Sequence, residues 1–177
     1  MFTKLKTPLI YLILIASLGF AIFHFFLNKQ EVKNGQQQST APLFAASFPN
    51  EHGENKPLNA YQGKIVVLNF WATWCEPCRE EMPELSTLHE AYANKNVVVL
   101  GVAIDDVNAI NEFTKQTQVK YPLFAADMAG MELASNLGNN KGVLPYTVII
   151  KADGTVHKTY FGRISKDLLE KSLLPLL

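Results

Sequence analysis

The chain has 177 residues, 48% of them hydrophobic, and its 16 basic residues balance 16 acidic ones, so the formal net charge is zero. This length allows one domain of ordinary size plus an appendage, and the apolar content is sufficient for a packed core. With neither a net positive charge nor a basic stripe, the sequence gives no support for nucleic-acid binding. The two cysteines lie in a single motif, which excludes a framework of structural disulfides.

The N-terminal segment predicts attachment to a membrane. Residues 8–27 are about 20 consecutive residues without a formal charge, long enough to cross a bilayer core of roughly 30 Å as a helix. A cleaved signal peptide, the alternative, normally has a shorter apolar region followed by small residues at the cleavage site. We therefore predict a short cytoplasmic tail (1–7), an uncleaved transmembrane signal-anchor (8–27), a flexible polar linker (28–41) and a folded domain (42–177).

In that domain the hydrophobic pattern predicts strands that alternate with helices. In chain order we first expect a hairpin, formed by a strand at 43–48 and a return near 57–58, then a buried strand at 65–71 and a helix at 76–93. A second buried strand at 97–104 is followed by a helix at 108–118, a short strand at 121–125 and a helix at 128–137. Residues 144–150 then lead into a third strong strand, which is followed by a strand at 156–161 and a final helix at 166–174. This order predicts an α/β fold in which helices flank a mixed central sheet.

Both cysteines, Cys75 and Cys78, lie where the first buried strand gives way to a helix. At such a junction the free backbone N–H groups and the positive end of the helix favour a thiolate on the first sulfur. The second sulfur lies about one turn further along the helix, close enough to form a disulfide with the first. The motif therefore predicts thiol–disulfide exchange, with Cys75 as the nucleophile and Cys78 as the resolving thiol.

Two residues between the cysteines are candidates for tuning the redox potential. Pro77 suits a first helical turn, where its missing N–H costs nothing. Glu76 suits the positive helix end, yet as an anion it opposes a thiolate on Cys75. Glu76 is therefore either a redox-tuning residue or simply a solvated carboxylate of the first turn.

The sequence predicts neither a metal site nor a cofactor. Zinc needs four ligands, and His52, His89 and His157 show no metal-ligand spacing relative to the cysteine pair. Covalent haem attachment would require a histidine directly after the second cysteine, where this chain has Arg79.

Residues 69–78, NFWATWCEPC, closely resemble the active-site block of the thioredoxin superfamily, and more narrowly that of the membrane-anchored TlpA/ResA-like thiol–disulfide oxidoreductases. The resemblance runs from about residue 44 to the C-terminus and includes Gly63-Lys64, Pro83, residues 142–147 and the Asp153-Gly154 turn. It implies a thioredoxin fold with an N-terminal β-hairpin extension and a central insert.

The same resemblance implies a substrate-binding surface formed by Trp74, Leu144 and Pro145. In the family's pattern the proline is cis, which leaves the preceding backbone exposed beside the disulfide, where a substrate strand can pair.

The resemblance also implies a catalytic carboxylate. Where a cytosolic thioredoxin has a buried aspartate, this chain has Asn69, which cannot take up a proton, and in the ResA-like group the role passes to the position of Glu81. Considered without the resemblance, Glu80, Glu81 and Glu84 are equally compatible with an exposed face of the helix.

Taken together, these features predict a protein-disulfide reductase on the extracytoplasmic (periplasmic) side of the bacterial cytoplasmic (inner) membrane. The resemblance implies a membrane thiol protein as electron donor and a role in cytochrome c maturation or copper-centre assembly. The acidic residues around the motif favour the reducing direction. Two alternatives stay open, a disulfide-forming oxidase and a non-enzymatic copper metallochaperone that binds the metal through Cys75 and Cys78.

Overall fold

The computed structural model describes residues 17–20 and 39–177. Residues 17–20 are helical, whereas the predicted tail (1–7), the rest of the predicted anchor and most of the predicted linker lie outside the described residues. In the part of the chain that is described, no helix combines the length and apolarity needed to cross a membrane. Gln38–Leu177 form one compact unit, separate from Met1–Gln37.

The compact unit contains seven strands and five α-helices in the described range. The strands are β1 (Ser47–Pro49), β2 (Asn55–Pro57), β3 (Ile65–Trp71), β4 (Val97–Ala103), β5 (Leu123–Ala125), β6 (Tyr146–Ile150) and β7 (Val156–Phe161). The helices are α1 (Ala41–Ala45), α2 (Glu76–Tyr92), α3 (Val107–Gln116), α4 (Asp127–Asn136) and α5 (Lys166–Leu173), and short 3-10 turns occupy Leu58–Tyr61, Ala93–Lys95 and Leu174–Leu176.

The central sheet has the order β5-β4-β3-β6-β7. Strands β3, β4 and β5 are parallel, whereas β6 is antiparallel to β3 and β7 is antiparallel to β6. Strands β1 and β2 form a separate antiparallel hairpin. The predicted mixed sheet and N-terminal hairpin are therefore confirmed.

Two predicted strands begin later than expected, each because of a proline. The strand expected at 43–48 is confined to β1, and α1 precedes it, because Pro42 in the first turn has the fixed φ that starts a helix. The strand expected at 121–125 begins only at Leu123, because Pro122 has no N–H to give to a ladder.

The sheet lies between two helical layers, each with its own hydrophobic core. Every residue of β3 and β4 is buried, which explains why their side chains, apart from Asn69, are β-branched or otherwise apolar or, at Gly101, absent. Side chains of α2 and α5 form the first core together with Cys75 and Cys78, whereas side chains of α1 and α4 form the second. The disulfide therefore belongs to the hydrophobic core on the side of the sheet where α2 lies.

Gly101 in β4 leaves space that larger side chains fill. It lies opposite Asn69 of β3 and Leu123 of β5. A Cβ atom at this position would lie 2.6 Å from Leu123 Cδ2, 3.0 Å from Tyr121 Cε2 and 3.1 Å from Trp71 Nε1. Contacts this close require the neighbouring side chains to move.

We expect Gly101→Ala to lower the free energy of unfolding by about 1–3 kcal/mol, the usual cost of overpacking a core, measured by urea denaturation. Leu123→Val removes the atom that the new methyl group would approach most closely. The double variant should therefore lose less stability than the two single variants summed. If the two losses simply add, Leu123 is not the residue that restricts a side chain at position 101.

Candidate active site

The two cysteines form a disulfide at the start of α2. Cys75 is the N-cap residue of this helix, with an extended backbone, and its Cα lies 5.3 Å from that of Cys78. Cys75 is 7% exposed and Cys78 is 0% exposed. The first cysteine is thus the more accessible one, in agreement with the expected order of nucleophile and resolving thiol.

The loop that leads into the disulfide is held by Asp105, at the end of β4. The Thr73 N–H donates to Asp105 Oδ2 over 2.6 Å, and the Cys75 N–H donates to the Ala72 carbonyl over 3.1 Å. Trp74 lies between these two anchored residues with 68% of its surface exposed. Its indole is therefore available to a partner, whereas the backbone on either side of it is fixed.

In the helix that begins at the disulfide, the carboxyl group of Glu81 is buried among hydrogen-bond donors. The Asn69 Nδ2 donates to Glu81 Oε1 over 2.7 Å, and the Ile164 N–H donates to Oε2 over 2.9 Å. The same Asn69 Nδ2 donates to Thr147 Oγ1 over 3.0 Å. Glu81 is fully buried, so it does not belong to an exposed helix face.

Burial raises the pKa of Glu81 to about 7, and this outweighs the hydrogen bonds from Ile164 and Asn69 and the Arg163 charge, which lower it. A carboxyl group with this pKa gains and loses a proton near neutral pH. Asn69 Oδ1 has no partner in the described part of the chain. Rotation of the Asn69 amide would present this oxygen to a protonated Glu81, so Asn69 can bond either form.

The neighbouring acidic residues of α2 behave differently. Arg163 lies 3.0 Å from Glu80 Oε2 and 3.6 Å from Glu84 Oε1, and the Lys166 N–H donates to Glu84 Oε2 over 2.7 Å. Of the three acids that the sequence could not distinguish, only Glu81 is buried. Arg163, which is far away in sequence, compensates the charge of the other two.

A buried phenol, that of Tyr121, is close enough to Glu81 to be influenced by its charge. Burial, together with the Glu81 charge, raises the pKa of Tyr121. The Tyr121 hydroxyl and Trp71 Nε1 have no hydrogen-bond partner among residues 17–20 and 39–177. The sequence indicated Trp71 as a core residue, whereas Tyr121 appeared there only as the start of a strand.

The predicted substrate-binding surface contains the peptide-bond isomer that the sequence predicted. The Leu144–Pro145 peptide bond is cis, which confirms the predicted isomer. The Pro145 carbonyl accepts a hydrogen bond from the Gly162 N–H over 2.9 Å. Leu144 is half-buried and packs against both hydrophobic cores, one of which contains the disulfide.

The described residues contain no group of three or more His, Cys, Asp or Glu side chains that could hold a metal ion.

A family model described as the AhpC/TSA family matches residues 38–159. The thiol-disulfide oxidoreductase ResA of Bacillus anthracis is 34% identical over 164 residues, which cover 92% of this chain and 90% of that protein. The thioredoxin-like protein YneN of Bacillus subtilis (strain 168) is 30% identical over 180 residues, covering 98% of each chain. A secreted Mycobacterium tuberculosis disulfide oxidoreductase homologous to E. coli DsbE has a solved structure that matches 75% of this chain and 97% of its own at 27% identity, with a TM-score of 0.61.

The raised pKa of Glu81 predicts a pH-dependent stability. Because its pKa is 4.5 in an ordinary setting and about 7 in the native state, the native state binds more protons than the unfolded chain between these values. The free energy of unfolding should therefore fall as the pH rises through this window. At about 1.4 kcal/mol per pKa unit, the loss is about 3 kcal/mol.

Urea denaturation of the oxidised protein from about pH 4 to about pH 8 measures this loss. Glu81→Gln should remove that part of the pH dependence. Glu112→Gln is the matched control, because Glu112 is an exposed residue of α3 paired with Lys115. An unchanged slope in Glu81→Gln would mean that another group is responsible.

Proposed function

We propose that this chain, which belongs to the AhpC/TSA family and is a thiol–disulfide oxidoreductase, acts as a reductase of specific protein disulfides outside the cytoplasm. The observation that carries the proposal is the combination of the Cys75–Cys78 disulfide at a helix N-terminus with the buried Glu81 carboxyl group in the same helix. The cysteine pair, once reduced, supplies the electron pair for the exchange, and the Glu81 carboxyl group is suited to carry the accompanying proton.

The exchange takes place in two steps. In the reduced protein, the Cys75 thiolate attacks one sulfur of the substrate disulfide, forms a mixed disulfide and releases the other substrate sulfur as a thiolate, which takes up a proton from water. Cys78 then loses its proton and attacks the Cys75 sulfur, which releases the second substrate sulfur as a thiolate that takes up a proton from water. Two electrons pass to the substrate, and the Cys75–Cys78 disulfide is left.

In this scheme Glu81 receives the proton of Cys78. Cys78 is fully buried, so its thiol has little access to water. Glu81 lies three residues further along α2, on the same face, and a native pKa of about 7 allows it to accept the proton and release it later. Asn69 acts through Glu81 and is a positioning residue.

The substrate binds at Trp74, Leu144 and Pro145. The exposed Trp74 indole supplies an apolar contact next to the accessible cysteine. The Leu144 N–H and carbonyl have no partner in the described residues, so both can pair with an extended segment of a substrate protein.

The reducing direction is supported by negative charge near the pair. The exposed Glu76 lies between the cysteines in the sequence, and the buried Glu81, when ionised, is a second negative charge three residues after Cys78. Both charges oppose thiolates, destabilise the reduced form and so favour donation of electrons. Glu80 contributes less than its sequence position suggests, because Arg163 compensates it.

We expect the equilibrium reduction potential of the pair to lie near that of thioredoxin, about −270 mV, and not near about −120 mV, the strongly oxidising end of the scale. Glu76→Gln should raise the potential by about 5–20 mV, the effect of one exposed charge. Glu112→Gln, whose carboxylate is on α3, should leave it unchanged. Equilibration with glutathione or a thioredoxin standard measures these values, and a potential near the oxidising end would favour the disulfide-forming oxidase.

We further propose that residues 8–27 anchor the protein as a single pass in the bacterial cytoplasmic (inner) membrane, with the catalytic domain on the extracytoplasmic side. The uncharged apolar run supports this placement. There the protein would receive electrons from a membrane thiol protein and serve cytochrome c maturation or copper-centre assembly.

For this topology we expect the full chain to sediment with membranes, and a protease added to spheroplasts to digest the catalytic domain, because that domain would be exposed outside the cytoplasmic membrane. A cytoplasmic protein in the same cells is the control for intact membranes. Recovery of the full chain in the soluble fraction, or protection of the domain until lysis, would contradict the placement.

A further inference from the structure

We propose that Asn139 is a positioning residue for substrate binding: its side chain bonds both backbone polar groups of Val143, so that Leu144 is presented as the residue whose backbone pairs with the substrate. The inference rests on the substrate-binding role proposed above for the Leu144 backbone. Asn139 itself touches neither the cysteines nor, in this view, the substrate, and acts through the segment that precedes Pro145.

The contact between Asn139 and Val143 is reciprocal and buried. The Asn139 Nδ2 donates to the Val143 carbonyl over 2.8 Å, and the Val143 N–H donates to Asn139 Oδ1 over 3.0 Å. Asn139 is only 1% exposed, so water does not compete easily for these bonds. A side-chain amide is the group that satisfies one donor and one acceptor of the same residue at once.

Asn139 is itself fixed to the end of α4. Its N–H donates to the Ala134 carbonyl over 2.9 Å, and its carbonyl accepts from the Gly142 N–H over 3.2 Å. Gly142 has a φ of +63°, in the left-handed region that favours glycine, which lets the loop turn back toward Asn139. The Val143 backbone is therefore tied to a helix through a short closed loop.

On the other side of Leu144 the backbone is also occupied. Pro145 has no N–H, and its carbonyl accepts from the Gly162 N–H over 2.9 Å. Leu144 thus lies between two residues whose polar groups are already used, while its own N–H and carbonyl are without partners in the described part of the chain. An incoming strand finds one donor and one acceptor at a fixed place, which defines its register.

Loss of the Asn139 amide would free the Val143 groups and let the Leu144 backbone rotate. A polypeptide substrate would then have to order this segment itself, which weakens its binding. A small disulfide makes no strand pairing, so its reaction with Cys75 would not depend on Asn139. This difference separates a positioning role in substrate binding from a role in general stability or in the cysteine pair.

The test compares Asn139→Ala with Asn140→Ala in the full chain. Asn140 is the matched control, because it is the next residue of the same loop and, among the described residues, its amide oxygen accepts only from Ser135. We expect Asn139→Ala to raise the KM for insulin, a disulfide-bonded polypeptide, by about tenfold, with kcat and the rate with 5,5′-dithiobis(2-nitrobenzoate) within about twofold. The reduction potential should not change, and Asn140→Ala should match the parent in every assay.

If Asn139→Ala does not fold, a second variant and a direct measurement still test the role of Asn139. Asn139→Asp keeps an acceptor for the Val143 N–H but turns an oxygen toward the Val143 carbonyl, so the insulin KM should rise again. When Cys78→Ser is trapped as a mixed disulfide with a cysteine peptide, the Leu144 amide should become protected from hydrogen exchange. This protection should be lost when Asn139→Ala or Asn139→Asp is combined with Cys78→Ser in the same chain.

An unchanged insulin KM, an equal loss with both disulfides, or an unprotected Leu144 amide in trapped Cys78→Ser would overturn the proposal. An oxidising reduction potential would instead refute only the reducing direction, because substrate pairing at Leu144 is then measured with the oxidised protein and a reduced peptide.

Discussion

The hydrogen bond between Asn69 and Glu81 joins the central strand of the sheet to the helix that carries the disulfide. A carboxyl group in this layer is costly to bury unless donors surround it, and the donors come from β3 and from the backbone at Ile164, after β7. The Glu81 carboxyl group therefore links three parts of the fold: α2, β3 and the segment after β7. The same group lies one helical turn from Cys78, so the contact that fixes α2 on the sheet also holds the proposed proton acceptor in place.

The pKa of Glu81 depends on how far the surrounding groups compensate its negative charge. A guanidinium in direct contact would keep it ionised, and an apolar pocket without donors would keep it protonated. Two neutral N–H donors in a buried site give a pKa of about 7, between these extremes. Arg163 is close enough to lower this pKa, yet its direct ion pairs are with Glu80 and Glu84. The ion pairs on the helix surface thus leave the buried carboxyl group free to exchange a proton.

Local patterns in the sequence predicted most of the fold, but only part of the site. The buried strands β3 and β4 and the helix α2 differ from the prediction by at most one residue at each end, because burial on both faces and helical periodicity leave a direct trace in the residue order. Pro42 and Pro122 shifted two elements, since a single backbone restriction outweighed the hydrophobic pattern. Glu81 was singled out only by family resemblance, because its burial depends on Ile164, which is 83 positions away. Nothing local distinguishes Asn139 either, since its role depends on the closure of a loop.

The segment after β7 connects the two sides of the active site. The Gly162 N–H donates to the Pro145 carbonyl beside the proposed substrate position, and two residues later the Ile164 N–H donates to the Glu81 carboxyl group. Ile164 is buried in the core that contains both cysteines, so this segment cannot shift without disturbing the packing around the disulfide. The proposed position of the substrate backbone and the environment of the proposed proton acceptor are therefore set by the same few residues. In thiol–disulfide exchange this has a chemical consequence, because the mixed disulfide is resolved only when substrate, Cys75, Cys78 and the proton acceptor are aligned together.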